Sequence, residues 1–202
     1  HNNVGNSLKD QGKIEEALEY YSKAISLNPD FAVAYFNTGV ILQEQGQLDE
    51  AIISYNKTLS LTPNYAQAYN NIGNALKSKG KLEEAISVFQ KAILCTPEYA
   101  EAYNNLGVAL LERGHLERAK EAYTKALALK SDFADAAFNL SGASSNIDEA
   151  KTSINLCLNA DPSHIKAKLI SSVLNFYGGN KTEFHSLMKS SLKDHPGMRS
   201  IS

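Results

Sequence analysis

Asparagine returns at an interval of 34 residues along this chain, at Asn3, Asn37, Asn71, Asn105 and Asn139. A side-chain amide carries both donors and an acceptor, so a ladder of them can pair with successive backbone amides of an extended peptide. The flanking positions repeat as well. Asn2, Phe36, Asn70, Asn104 and Phe138 form one row, and Asn6, Val40, Asn74 and Val108 another. Phe36 with Val40, and Val108 with Leu111, would make small apolar spots among the amides, suited to anchor a partner side chain or to pack between repeats. Nearby charges are mixed: Lys9 and Lys77 against Asp10, Glu44, Glu101, Glu112 and Asp135. This is chemistry for binding.

Catalytic chemistry has no comparable pattern. Of the five histidines, His1, His115, His164, His185 and His195, no two stand at the i, i+4 spacing of a helical metal site. No nucleophile elbow, phosphate loop or dinucleotide fingerprint is present. Glu15–Glu16 and Glu83–Glu84 read as acidic first turns of helices, complementing the positive dipole end. No cofactor, no metal and no enzymatic activity are therefore expected of this stretch. Cys95 and Cys157 lie far apart at apolar-face positions and read as buried small hydrophobes in a reducing compartment, which makes the cytoplasm the expected location. A net charge of −2 without clustered Lys or Arg gives no footprint for nucleic acid or an anionic membrane. No apolar run approaches the roughly 18 residues of a membrane span.

The interval that spaces the asparagines also spaces Pro29, Pro63 and Pro97. A fixed period of this length marks stacked helical repeats. It divides the chain into a truncated repeat at residues 1–31, regular repeats at 32–65, 66–99 and 100–133, a shortened repeat at 134–164, and a degenerate terminal repeat with a tail at 165–202. In the third of these, Tyr69, Ile72, Gly73 and Leu76 recur at helical spacing and predict the buried stripe of a first helix, A. Leu82, Ala85, Ile86, Phe89 and Ile93 predict a second helix, B. Gly73 weakens helix A by about 1 kcal/mol against Ala, which makes sense if a neighbouring helix must approach the backbone there. Gly12, Gly46, Gly80 and Gly114 fall just past the A helices, where a left-handed residue ends a helix. Pro97 stops helix B.

These columns resemble the tetratricopeptide repeat: Tyr69, Ile72–Gly73, Leu76, Gly80, Ala85, Phe89, Ala92 and Pro97 match its pattern, and the likeness extends over residues 1–133. The resemblance implies an all-α, right-handed superhelical solenoid of stacked antiparallel helix pairs, with A helices lining a concave wall that binds peptides. It also implies that the binding residues lie on that wall: Asn3, Asn37, Asn71, Asn105, Asn139, Asn70, Asn74, Asn104, Phe36 and Lys77. The arrangement is similar to the asparagine ladder of the O-linked N-acetylglucosamine transferase repeats. A related subclass clamps the C-terminal carboxylate of chaperones with cations that this chain replaces by Asn2, Gln67 and Asn71, so such tails are not expected partners.

Regularity fades after residue 133. The fifth unit is three residues short between Ser141 and Ala150, and Ser144 stands where large apolar residues stand elsewhere. A shortened helix A or an early turn is expected near residues 144–146. In the sixth unit Phe184 replaces the small crossing residue, Gly179 and Pro196 keep their offsets, and the second helix is polar. The expected role is a protein–protein scaffold that binds a protein or peptide segment. The alternatives are a substrate-recruiting region of a larger transferase, with its catalytic domain beyond Ser202, and a self-assembling repeat protein. End-to-end self-association is expected through an N-terminal face carrying Val4 and Leu8, with further repeats upstream of His1. Changing Asn71 and Asn105 together to Ala is expected to weaken binding and leave melting nearly intact.

Overall fold

A computed structural model describes residues 1–177. Among the described residues there are eleven α-helices and no strand: α1 Asn2–Asp10, α2 Ile14–Leu27, α3 Ala32–Glu44, α4 Leu48–Leu61, α5 Ala66–Ser78, α6 Leu82–Cys95, α7 Ala100–Glu112, α8 Leu116–Leu129, α9 Ala134–Gly142, α10 Ile147–Ala160 and α11 Ile165–Tyr177. The odd-numbered helices are A helices and the even-numbered ones B helices. The chain forms two compact units, His1–Arg113 and Gly114–Ser202.

In the first unit α1, α3 and α5 each pack on the B helix of their own repeat, and α2, α4 and α6 each pack on the next A helix. Consecutive A helices also touch one another, α1 with α3, α3 with α5 and α5 with α7. Consecutive B helices have no such approach, so the A helices form the tightly spaced layer of this unit. The close A–B fit depends on glycine. A Cβ added at Gly5, Gly39 or Gly73 would lie 2.5, 2.7 and 2.5 Å from the ring of Tyr21, Tyr55 or Phe89. Those rings come from the B helix of the same repeat and are fully buried. The neighbouring helix expected to approach Gly73 thus meets it through the edge of an aromatic side chain, Phe89. Ala17, Ala51 and Ala85, all fully buried one turn before the rings, keep the helices near enough for this contact.

Turns follow from local backbone rules. Gly12, Gly46, Gly80 and Gly114 have φ of +76, +77, +74 and +87°, the left-handed conformation that glycine adopts without a Cβ penalty. At the other end of each B helix, Asn28, Thr62 and Thr96 are extended, as the residue before a proline must be. Lys130 takes the same conformation before Ser131, at φ −141° and ψ 93°. The repeat geometry, and not proline alone, imposes this turn.

In the second unit α8 packs on α9, α9 on α10 and α10 on α11. Its core gathers Ala137, Ile154, Cys157 and Ala167, with Leu127, Phe138, Leu158 and Leu174 against them. Helix α9 has 9 residues where α3, α5 and α7 have 13, and it ends at Gly142, so the expected early turn is present. Helix α10 then starts on a capping box. Here the Asn146 side chain makes both bonds: Oδ1 accepts the Glu149 N–H at 2.9 Å, and Nδ2 donates to Glu149 Oε1 at 3.1 Å. Glu149 also accepts the Ser145 N–H and the Lys120 ammonium, both at 3.0 Å, and these bonds hold its carboxyl below the usual range. Stability from this carboxylate is present at neutral pH and lost as pH falls through its folded-state value. The features expected at Gly179, Phe184 and Pro196 and in the sixth unit's second helix lie outside the described residues.

Two expectations about burial change. Leu8 is half-buried against the cluster of Ala17, Tyr21 and Ile41, which leaves Val4, 45% exposed, as the apolar residue on that face. Cys95 is only half-buried, whereas Cys157 is fully buried. Burial pushes the Cys157 thiol from 9.0 up to about 11, with Asp161 and Asp135 adding to the effect. At mildly alkaline pH the thiolate at Cys157 is thus much scarcer than in an ordinary cysteine. An aromatic disulfide reagent is expected to modify Cys95 in the native protein and Cys157 only after denaturation. Equal rates for the two thiols in the folded chain would contradict this placement.

Candidate functional site

The asparagine positions of the first unit fall on consecutive A helices: Asn3 on α1, Asn37 on α3, Asn71 on α5 and Asn105 on α7. One residue of the column projects from each helix because the 34-residue period brings the same helical register back in every repeat. Asn3 is exposed, and Asn37, Asn71 and Asn105 are half-buried. Their amides are not idle. Asn37 donates from Nδ2 to Oδ1 of Asn2 at 3.0 Å and of Asn6 at 2.9 Å. Asn105 donates to Oδ1 of Asn70 at 3.0 Å. Each of these bonds crosses from one A helix to the previous one.

Asn71 breaks the pattern for a visible reason. The residue that would receive its proton is Phe36, whose ring packs on Tyr55 and Tyr65 with centroids 5.7 and 4.9 Å away. Asn71 turns instead to the Tyr55 hydroxyl at 3.3 Å, and that hydroxyl donates to Gln43 Oε1 at 3.0 Å. Burial pushes the Tyr55 phenol well above its ordinary range, the Asn71 bond lowers it somewhat, and Glu44 raises it. Tyr55 therefore acts as a neutral relay between two repeats. Tyr21 makes the equivalent bond inside its own repeat, donating to Asn6 Oδ1 at 2.8 Å.

The set expected from sequence separates accordingly. Asn70 and Asn104 are buried, at 6% and 8% exposure, and belong to the helix stack and not to the accessible face. Phe36 is half-buried between tyrosines, so packing accounts for it. Asn74 and Lys77, one turn apart on α5, are half-buried and have no hydrogen bond or ion pair among the described residues. Lys9 pairs with Glu44 at 3.4 Å between α1 and α3. Asn139 is on α9, in the second unit, and is half-buried. Once their Nδ2 groups are committed, the Oδ1 atoms of Asn37, Asn71 and Asn105 receive no donor among the described residues. The first unit thus carries three oriented acceptors, one on each of α3, α5 and α7.

Sequence reasoning missed the relay through Tyr55 and Gln43, and it missed a second set of links, between exposed charges of successive repeats. Asp49 pairs with Lys79, and Glu83 with Arg113, each joining the start of one B helix to the A–B turn of the next repeat. The signal was available, since acid and cation stand 30 residues apart in both pairs. Among the described residues no group of three His, Cys, Asp or Glu side chains could hold a metal, and no helix is long and apolar enough to cross a membrane.

Models of the TPR repeat match residues 5–46, 39–79 and 73–114, and the tetratricopeptide repeat model matches residues 100–133. The chain belongs to the tetratricopeptide-repeat family. Its all-α fold of stacked helix pairs is that of the family. Pseudomonas aeruginosa PilF is similar in fold, with a TM-score of 0.86 at 22% identity over 96% of this chain and 90% of its own. PilW, a type IV pilus biogenesis factor, gives 0.85 at 19% identity, over 98% and 93%. YrrB, described as a TPR protein with an unusual peptide-binding site, gives 0.68 at 25% identity, over 90% and 95%. No curated protein sequence matches the chain. As a tetratricopeptide-repeat chain it is, at the coarse level, a protein-interaction scaffold.

Proposed function

We propose that the A-helix layer of the first unit is a non-catalytic docking surface for an extended segment of a partner protein. The observation that carries this reading is the row of oriented amide oxygens at Asn37, Asn71 and Asn105, each fixed by a bond from its own Nδ2 to the preceding repeat. Fixed acceptors cost little entropy on binding, and they select donors such as backbone N–H groups. Helices in contact lie about 8–10 Å apart, and three residues of a polyproline II strand advance about 9 Å. One partner N–H in every three can therefore meet one asparagine per repeat. Asn74 and Lys77 add a place for a partner carboxylate or amide beside the Asn71 rung. The peptide-binding site of YrrB, a protein similar to this chain, supports the reading.

The test is an NMR titration with a peptide selected from a random library on the immobilised chain. Binding should shift the side-chain amides of Asn37, Asn71, Asn74 and Asn105 and leave the outer faces of α2, α4 and α6 unaffected. Shifts confined to those B helices would overturn the assignment of the surface.

A further inference from the structure

The geometry points to a small-molecule site in the second unit, at the place where its repeat is cut short, for a neutral polyhydroxylated ligand of monosaccharide size. In the regular repeats Leu42, Leu76 and Leu110 occupy the last turn of helix A, and the last two are buried there. Ser144 stands at this position, after α9 has already ended at Gly142. The missing turn and the missing isobutyl group leave a cleft of about 540 Å³ between α8, the 143–146 turn and the first half of α10. No such shortening occurs in the repeats of the first unit.

The wall chemistry is specific. Ser153 lines the cleft at 5% exposure, and its hydroxyl has no hydrogen-bond partner among the described residues. A buried, unpaired hydroxyl is costly, and a ligand hydroxyl entering the cleft can satisfy it. The Ser144 and Thr152 hydroxyls donate to the Leu140 and Asp148 carbonyls, which leaves their oxygens as acceptors on the lining. Thr124 contributes a further hydroxyl from α8, and Leu140 an apolar patch. Two of the three lining charges, Lys120 and Glu149, are already paired. Lys120 is bonded to Glu149 and to Ser145, both at 3.0 Å, and Asp148 lies in the first turn of α10, where the helix dipole favours it. A simple anion or cation gains little there. A sugar ring offers hydroxyls that both donate and accept, together with an apolar face of C–H groups, and it matches this lining.

The site is independent of the A-helix surface proposed above. The test is an NMR titration of the whole chain with D-glucose, with methylammonium chloride and sodium phosphate in parallel. Glucose is expected to shift the amides of Ser144, Ser145, Thr152 and Ser153 saturably in the millimolar range. Ser144→Leu restores the regular residue and projects an isobutyl group into the cleft beside Ser153, so it should weaken glucose binding at least tenfold while keeping or raising the melting temperature. Ser153→Ala, which removes one hydrogen bond, should weaken binding about fivefold. The proposal is overturned if glucose gives no saturable shift at these residues, if only the ammonium or phosphate ion binds, or if Ser144→Leu binds glucose as tightly as the native chain.

Discussion

Gly73→Ala is expected to destabilise the first unit by about 1–2 kcal/mol, although alanine is the better helix former by about 1 kcal/mol. The added methyl would stand 2.5 Å from Phe89 Cε1 and 2.7 Å from Cδ1, and the ring is fully buried, so it has nowhere to swing. Removing the ring should reverse the sign. Phe89→Ala by itself should cost about 3–5 kcal/mol as a large buried ring is lost. In that background Gly73→Ala should stabilise by about 1 kcal/mol, because only helix propensity remains. Urea unfolding of the four proteins closes the cycle. Stabilisation by Gly73→Ala in the native background would contradict the ring contact, and destabilisation that persists with Phe89→Ala would show that helix spacing, and not the ring, selects glycine.

The second large effect concerns the asparagines. Asn105→Ala should cost about 1–3 kcal/mol, since it leaves the buried Asn70 carbonyl without its donor. Asn71→Ala should cost less, about 0.5–1 kcal/mol, because Tyr55 still donates to Gln43 after the Asn71 amide is gone. Asn70→Ala and Asn105→Ala together should cost less than the sum of the two, by about 0.5–3 kcal/mol, as expected for residues that share a bond. Melting curves read the order directly. Equal and negligible losses at Asn71 and Asn105 would mean that water replaces both bonds at no cost. The Asn71 and Asn105 double substitution, expected from sequence to leave melting nearly intact, is on this geometry expected to lower the melting temperature as well, because both amides bond to the preceding repeat.

How far the sequence could be read depended on the range of the interaction. Gly80 and its column were legible because a left-handed turn is a local demand of one residue. The early stop of α9 was legible from the three missing residues and from Ser144. The identity of the group packed on Gly73 was only half legible: the spacing called for a close approach, but the direction of the Phe89 ring depends on how the helices cross. The amide network was not legible. Asn37 and Asn71 look alike in sequence, yet one bonds to asparagines and the other to a tyrosine, because Asn2 and Phe36 fill the neighbouring place differently. Such choices are made 35 and 16 residues away along the chain, through rotamers that periodicity does not encode. The capping box of Asn146 and Glu149 was available as a motif, and it was obscured by the irregular spacing around it.

The central claim is that fixed asparagine oxygens accept N–H groups from a partner backbone, one per repeat. A backbone N-methyl scan of the selected peptide tests this without touching the protein, so the stability of the stack stays out of the measurement. Calorimetric affinity should fall about tenfold at methylated positions three residues apart and hold within twofold between them. A scan in which every position tolerates methylation, or in which the sensitive positions show no three-residue spacing, would contradict the account.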